Sequence, residues 1–153
     1  MTRTKVGFAA VSVAAMLMLG VAIAQPAKKP AKGDHMQHME AMQACAKACS
    51  DCQRACDMCA THCAHMAAEG KKDHLKTLMS CQDCADVCAA ASQIVARGGP
   101  YSTQICESCA DVCAACAKQC EMFPDDKHMA ECAKECRKCE KACRDMLKHA
   151  DHK

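Results

Sequence analysis

The sequence predicts an all-α fold, an antiparallel up-down four-helix bundle with a cysteine-lined core. Three observations carry this. The cysteines recur only at steps of three or four within each of four segments. Gly and Pro breakers divide the chain between those segments. Branched aliphatics are too scarce to build an ordinary core: beyond position 24, Leu, Ile, Val and Phe number nine of 129 residues, about 7%. The 51% apolar fraction is therefore mostly Ala, Cys and Met, and the 18 cysteines must fill or hold the interior.

The elements follow in order. Residues 1–24 read as an export signal. Arg3 and Lys5 form a positive n-region, Val6 to Val21 is an uncharged apolar run, and Ala22-Ile23-Ala24 is a small-x-small cleavage site before Gln25. The n-region has no Arg-Arg pair, which favours export of the unfolded chain and a periplasmic location. Residues 25–34 are Pro- and Lys-rich and read as a flexible leader, with one bundle domain over 35–153. Breakers at Gly70, Gly98-Gly99-Pro100 and Phe123-Pro124 separate helical segments at about 35–69, 73–97, 102–122 and 125–149. Asp73, Ser102 and Asp125 are the expected N-caps, and Gly70 and Gly98 the expected C-caps. Short connections favour antiparallel neighbours.

The first segment carries Cys45, Cys49, Cys52, Cys56, Cys59 and Cys63; the second Cys81, Cys84 and Cys88. The third carries Cys106, Cys109, Cys113, Cys116 and Cys120; the fourth Cys132, Cys136, Cys139 and Cys143. Such steps put each set on one helix face, at positions a bundle normally fills with Leu. Charged residues take the other faces, so four thiol stripes are expected to meet inside.

An exported chain with an even cysteine count is commonly a disulfide scaffold. The spacing argues against that here. Cβ atoms at i,i+3 and i,i+4 lie about 5–6 Å apart, whereas a disulfide needs about 3.8 Å. A metal ion spans the gap, because two thiolates each about 2.2 Å from one ion sit about 4.4 Å apart. Soft thiolates select Cu(I), Zn(II) or iron–sulfur clusters. No Cys-x2-Cys-x2-Cys run supports a cluster, and no Cys-x2-Cys-His supports haem attachment. Four thiolates on zinc leave two negative charges per buried site, with no Lys or Arg on the stripes to offset them. Monovalent copper on bridging thiolates leaves the core neutral. The stripes also run on into soft thioethers and imidazoles: Met42, His38 and His35 before Cys45, Met66 after Cys63, Met129 before Cys132 and Met146 after Cys143. Copper is thus the favoured ligand; a zinc or mixed-metal buffer and a disulfide-rich structural or redox protein are the alternatives. The end of the bundle bearing His35, His38, Met39, Met42, Met146 and His149 is the favoured mouth for the ion; the alternative is the opposite end, with His62, His65, Met66, Met79, Met122, His128 and Met129 but also Leu78 and Phe123 to plug it. His62 and His65 flank Cys63 as weaker ligand candidates, whereas His74, His149 and His152 are expected to be exposed.

Other classes fall away. Removing Arg3 and Lys5 from 20 basic residues leaves 18, equal to the 18 acidic ones. There is no basic patch with interleaved aromatics, so no nucleic-acid partner is expected. No nucleophile–base pair, paired carboxylates or phosphate loop points to an enzyme. No membrane association is expected after signal cleavage. A protein that donates or accepts copper is the natural partner, and the oligomeric state is open.

The run from Ala110 to Cys120 (ADVCAACAKQC), Phe123-Pro124, and the run from Glu131 to Cys136 (ECAKEC) together resemble the copper storage proteins first recognised in methane-oxidising bacteria. The resemblance extends from about Met36 to His149. It implies a four-helix bundle whose lumen holds many Cu(I) ions on cysteines, with Met and His ligands near one open end. The export reading predicts that N-terminal sequencing of the secreted protein starts at Gln25; an intact Met1 would contradict it.

Overall fold

The computed structural model describes residues 32–150. The export-signal reading of 1–24, and the leader up to position 31, lie outside these. Four helices fill the described chain: α1 (Lys32–Ala68), α2 (His74–Ala96), α3 (Ser102–Cys120) and α4 (Lys127–Ala150). The first begins three residues before the boundary expected at 35.

Each helix end has a local cause. Gly70 has φ +92° and closes α1: the Lys71 N–H reaches the Met66 carbonyl at 3.0 Å, and the Gly70 N–H reaches Ala67 at 3.0 Å. Gly98, with φ +61°, closes α2 the same way through Gly99 to Ile94 (3.1 Å) and Gly98 to Val95 (3.0 Å). Both pairs form the Schellman pattern that a left-handed glycine permits. A Cβ on Gly98 would also meet Met42 Cε at 3.5 Å, so this turn sits directly on the first stripe. The third helix ends in a tight turn, Phe123 N–H to Cys120 at 3.1 Å, and Pro124 prevents its continuation.

The N-termini differ from expectation. Asp73 stands at the N-cap of α2 but makes no side-chain cap bond. Ser102 is the first residue of α3 rather than its cap; its Oγ donates to the Gly99 carbonyl at 2.7 Å, bracing the preceding turn. The cap of α4 is Asp126, not Asp125. Asp126 Oδ1 accepts from the His128 N–H at 2.9 Å and the Met129 N–H at 3.3 Å.

The helices form a square. The first packs on α2 and α4, the third on the same two, and the diagonal pairs make no backbone approach. Charged residues occupy the outside as i,i+3 and i,i+4 pairs such as Lys47–Asp51 and Arg54–Asp51. Arg137 of α4 also forks onto both carboxylate oxygens of Glu121 at 2.9 Å, tying α4 to the end of α3. The centre of the square belongs to the cysteine stripes. Among the described buried residues, Val95 is the only branched aliphatic side chain; the rest of the apolar interior is Cys, Ala and Met. Leu78, Val87, Ile105, Val112 and Leu147 pack only partly buried around it.

Asp126→Ala is expected to lower stability by about 1 kcal/mol by removing the α4 cap. Denaturant unfolding checks this; Asp125→Ala should leave the midpoint nearly unchanged.

Candidate metal centre

All 18 cysteines lie in the lumen, none more than 1% exposed, and all carry free thiols. The steps of three and four do this: they keep one face of each helix inward for its whole length. What the steps do not reveal is that the sulfurs meet across the diagonals, where the backbones do not. Cys45 Sγ lies 3.5 Å from Cys106 Sγ, Cys49 3.8 Å from Cys109, and Cys52 3.9 Å from Cys113, all from α1 to α3. From α2 to α4, Cys81 and Cys132 are 4.0 Å apart, as are Cys88 and Cys139. Neighbouring helices add Cys88–Cys113 at 3.5 Å and Cys56–Cys136 at 3.6 Å. The interior is one column of sulfur.

The column divides into overlapping groups of four. Cys49, Cys109, Cys139 and Cys143 have their sulfurs within 4.8 Å of one another. The same holds for Cys52, Cys84, Cys88 and Cys113; for Cys52, Cys56, Cys84 and Cys136; for Cys56, Cys116, Cys132 and Cys136; and for Cys59, Cys81, Cys120 and Cys132. Cys52, Cys56, Cys84, Cys132 and Cys136 each belong to at least two groups. Two sulfurs about 2.2 Å from one ion and 3.5–4.0 Å apart subtend about 105–130°, the angles of three- and four-coordination. Metal therefore fits with small rotamer changes.

The ends of the column differ. At the end formed by the start of α1 and the end of α4, Cys45 meets Cys106 and Cys143, each at 3.5 Å. Ala91 and Val95 of α2 take the stripe positions there, both fully buried, so three helices rather than four supply thiols. Met42 and Met146 are buried, 7% and 1% exposed. With half-buried His38 and exposed His35 and Met39 they line a cavity of about 330 Å³. The structure thus brings together the Met and His residues that the sequence pointed to at this end. His149 is exposed, as expected.

The opposite end holds one expected stripe residue and one surprise. Met129 is fully buried, with its Sδ 3.4 Å from Cys59 Sγ and 4.0 Å from Cys63 Sγ. It extends the α4 stripe three residues before Cys132, as Met42 does before Cys45, so the period was the signal for it. His74 was expected to be exposed and is instead 7% exposed, because its ring packs on Phe123 at 4.3 Å. His62 Nε2 pairs with Asp126 Oδ2 at 2.7 Å and its ring stacks on His128 at 4.5 Å. Burial opposes ionisation of Asp126, but His62 and the Met129 and His128 amides hold its carboxyl below the usual range. His65 is exposed.

Charge is scarce inside. The buried polar residues among those described are His74, Thr77 and Ser102; no Lys or Arg is among them. Contacts with neighbouring sulfurs, then burial, push Cys49, Cys81, Cys113 and Cys136 above the ordinary thiol range. Burial, then the neighbouring Cys59, raises Cys63 to about 12. The same sulfur contacts push Cys45, Cys52, Cys109 and Cys116 below the ordinary thiol range, so protons are shared unequally along the column, and a metal must displace those that the raised thiols hold.

A helical bundle lined end to end by contacting thiols, with thioethers closing it, defines a class: a protein that holds soft metal ions in its lumen. The family comparison names it, since the copper storage protein family matches residues 37–148 and the chain belongs to that family. Among solved structures it is similar to a cytosolic copper storage protein from Streptomyces lividans carrying five coppers. That match has 34% identity and TM-score 0.68, covering 74% of this chain and 97% of the other. The Cu(I)-bound copper storage protein BsCsp3 matches at 34% identity and TM-score 0.65, over 70% and 98% of the two chains. Apo copper storage protein 3 from Bacillus subtilis matches at 36% and 0.58, over 68% and 96%. Comparison with curated proteins finds no match. Copper is accordingly the metal of this protein.

Raised thiol pKa values make copper affinity rise with pH, since each thiol below its pKa must give up a proton to bind. Loading in weak buffer at neutral pH is expected to release protons from the thiols held above their ordinary range, such as Cys49, Cys81, Cys113 and Cys136, read by a pH-stat titration. Loading without proton release would show the thiolates already formed.

Proposed function

We propose that this protein stores Cu(I) outside the cytoplasm as a continuous thiolate-bridged column, taken up through the Met and His end of the bundle. The observation that carries the reading is the sharing of cysteines between four-sulfur groups. Isolated tetrathiolate sites need four unshared cysteines each, so 18 thiols yield only about four. Shared groups instead suit an ion that accepts bridging sulfur. Each Cu(I) on its own thiolate is neutral, which a lumen without counter-cations requires. All 18 cysteines are proposed ligands, with Met42, Met146, Met39 and His38 as the outer ones.

The compartment rests on residues 1–24: the positive n-region, the apolar run and the small-residue cleavage site. No described helix is long and apolar enough to cross a membrane. Donor or acceptor proteins for copper would meet the chain there.

Uptake at the Met and His end follows from ligand strength. Thioether and imidazole hold Cu(I) less tightly than bridging thiolate, so an ion caught by Met39 and His38 gains affinity as it passes Met42 and Met146 to Cys45, Cys106 and Cys143.

Anaerobic titration of the reduced protein, with a Cu(I) chelator as competitor, is expected to saturate near one ion per thiol, on the order of 15–20 ions. Saturation at four or five ions would favour the zinc-like alternative. Replacing Met39, Met42 and Met146 together by Leu should slow uptake severalfold in stopped-flow loading and leave capacity nearly unchanged. An unchanged loading rate would place the mouth elsewhere.

A further inference from the structure

The column is not sealed equally along its length. Sixteen of the 18 cysteines are 0% exposed; Cys59 and Cys132 are each 1% exposed. Both lie on the wall of one groove, about 630 Å³, that runs between α1 and α4 on the side of the bundle. Ala55 forms part of the groove wall, and its single methyl leaves the space open. Met58, 66% exposed, and His128, also exposed, line the same groove. At the Met and His end the situation is reversed: Cys45, Cys106 and Cys143 are fully buried, and thioethers meet the solvent first.

Resting on the storage reading, we propose that this groove is a lateral portal where an incoming thiol ligand withdraws Cu(I) from the column through Cys59 and Cys132. A copper held by thiolates leaves by associative exchange, so the attacking ligand must reach the metal while it is still bound. At the Met and His end Met42 and Met146 stand in the way. In the groove a sulfur can approach the Cys59, Cys81, Cys120 and Cys132 group from the side, because two of its four members border the opening.

The step balances without a redox partner. The thiol sulfur bonds copper as the bond from Cys59 or Cys132 to copper breaks. Copper stays monovalent, and the proton of the incoming thiol passes to the cysteine released. Met58 and His128 offer soft donors at the rim where the departing ion is briefly under-coordinated. Lys47, Arg54, Lys127 and Lys138 face Asp51, Glu131 and Glu135 around the opening, a balance that admits an anionic thiol. Capture at one end and withdrawal from the side would let the column fill and empty by separate routes.

The test has two arms on the full-length protein. In the first, reduced apo-protein is treated with limiting iodoacetamide and the labelled cysteines are identified by peptide mass spectrometry. Cys59 and Cys132 should be labelled first. Labelling that starts at Cys45, Cys106 or Cys143, or that runs evenly over all cysteines, overturns the portal. In the second, copper-loaded protein is mixed with glutathione and release is followed with a Cu(I) indicator. Ala55→Leu narrows the groove and should slow release about tenfold while total capacity stays the same. An unchanged release rate at full capacity overturns the portal and leaves storage standing. A wild-type capacity of only four or five ions would instead overturn the storage reading beneath it. Because the labelling order is read on the unaltered chain, it decides the question even if the variant folds poorly.

Discussion

Everything in this structure depends on contact between sulfur atoms where other bundles place hydrocarbon. A cysteine is short, so a lumen filled by it needs helices close enough for sulfurs to touch across the diagonal, and they do at 3.5–4.0 Å. Alanine makes that approach possible: Ala60, Ala85, Ala110, Ala117 and Ala133 are buried between the helices. The close packing yields little hydrophobic stabilisation compared with Leu, because each thiol buries less apolar area. Metal bound only to the folded state would supply by mass action what the core lacks. Stability and cargo are thus set by the same side chains.

The absence of buried cations among the described residues is the second consequence. With no counter-charge, burial opposes a lone thiolate, and an arriving metal drives out the protons of the raised thiols in exchange. This favours an ion whose charge one thiolate cancels. The charged residues stay on the outer faces, where pairs such as Arg137 with Glu121 tie the helices together without touching the lumen.

Much of this was legible in the sequence. Steps of three and four placed every cysteine on an inward face, and Gly70 and Gly98 marked two helix ends correctly because a left-handed residue there has few substitutes. The caps were less legible. Asp125 and Asp126 are adjacent and alike, and only the local chain path shows that Asp126 reaches the amides of His128 and Met129. Ser102 resembles a cap but braces a turn, since the chain enters α3 one residue early. His74 illustrates a different limit: nothing in its neighbourhood in sequence announces Phe123, which lies about fifty positions away and covers its ring. Likewise, no stripe reveals that sulfurs meet across diagonals, nor that Cys59 and Cys132 share the wall of a groove. Those are properties of helix separation, which composition constrains but does not specify.

The central claim is that copper occupies a bridged column rather than separate sites. X-ray absorption at the copper edge of the fully loaded protein tests it most directly. The account predicts monovalent copper with sulfur neighbours at about 2.2 Å and a strong second shell of copper around copper, as shared thiolates require. A sulfur shell without any copper neighbour would mean isolated sites and would contradict it.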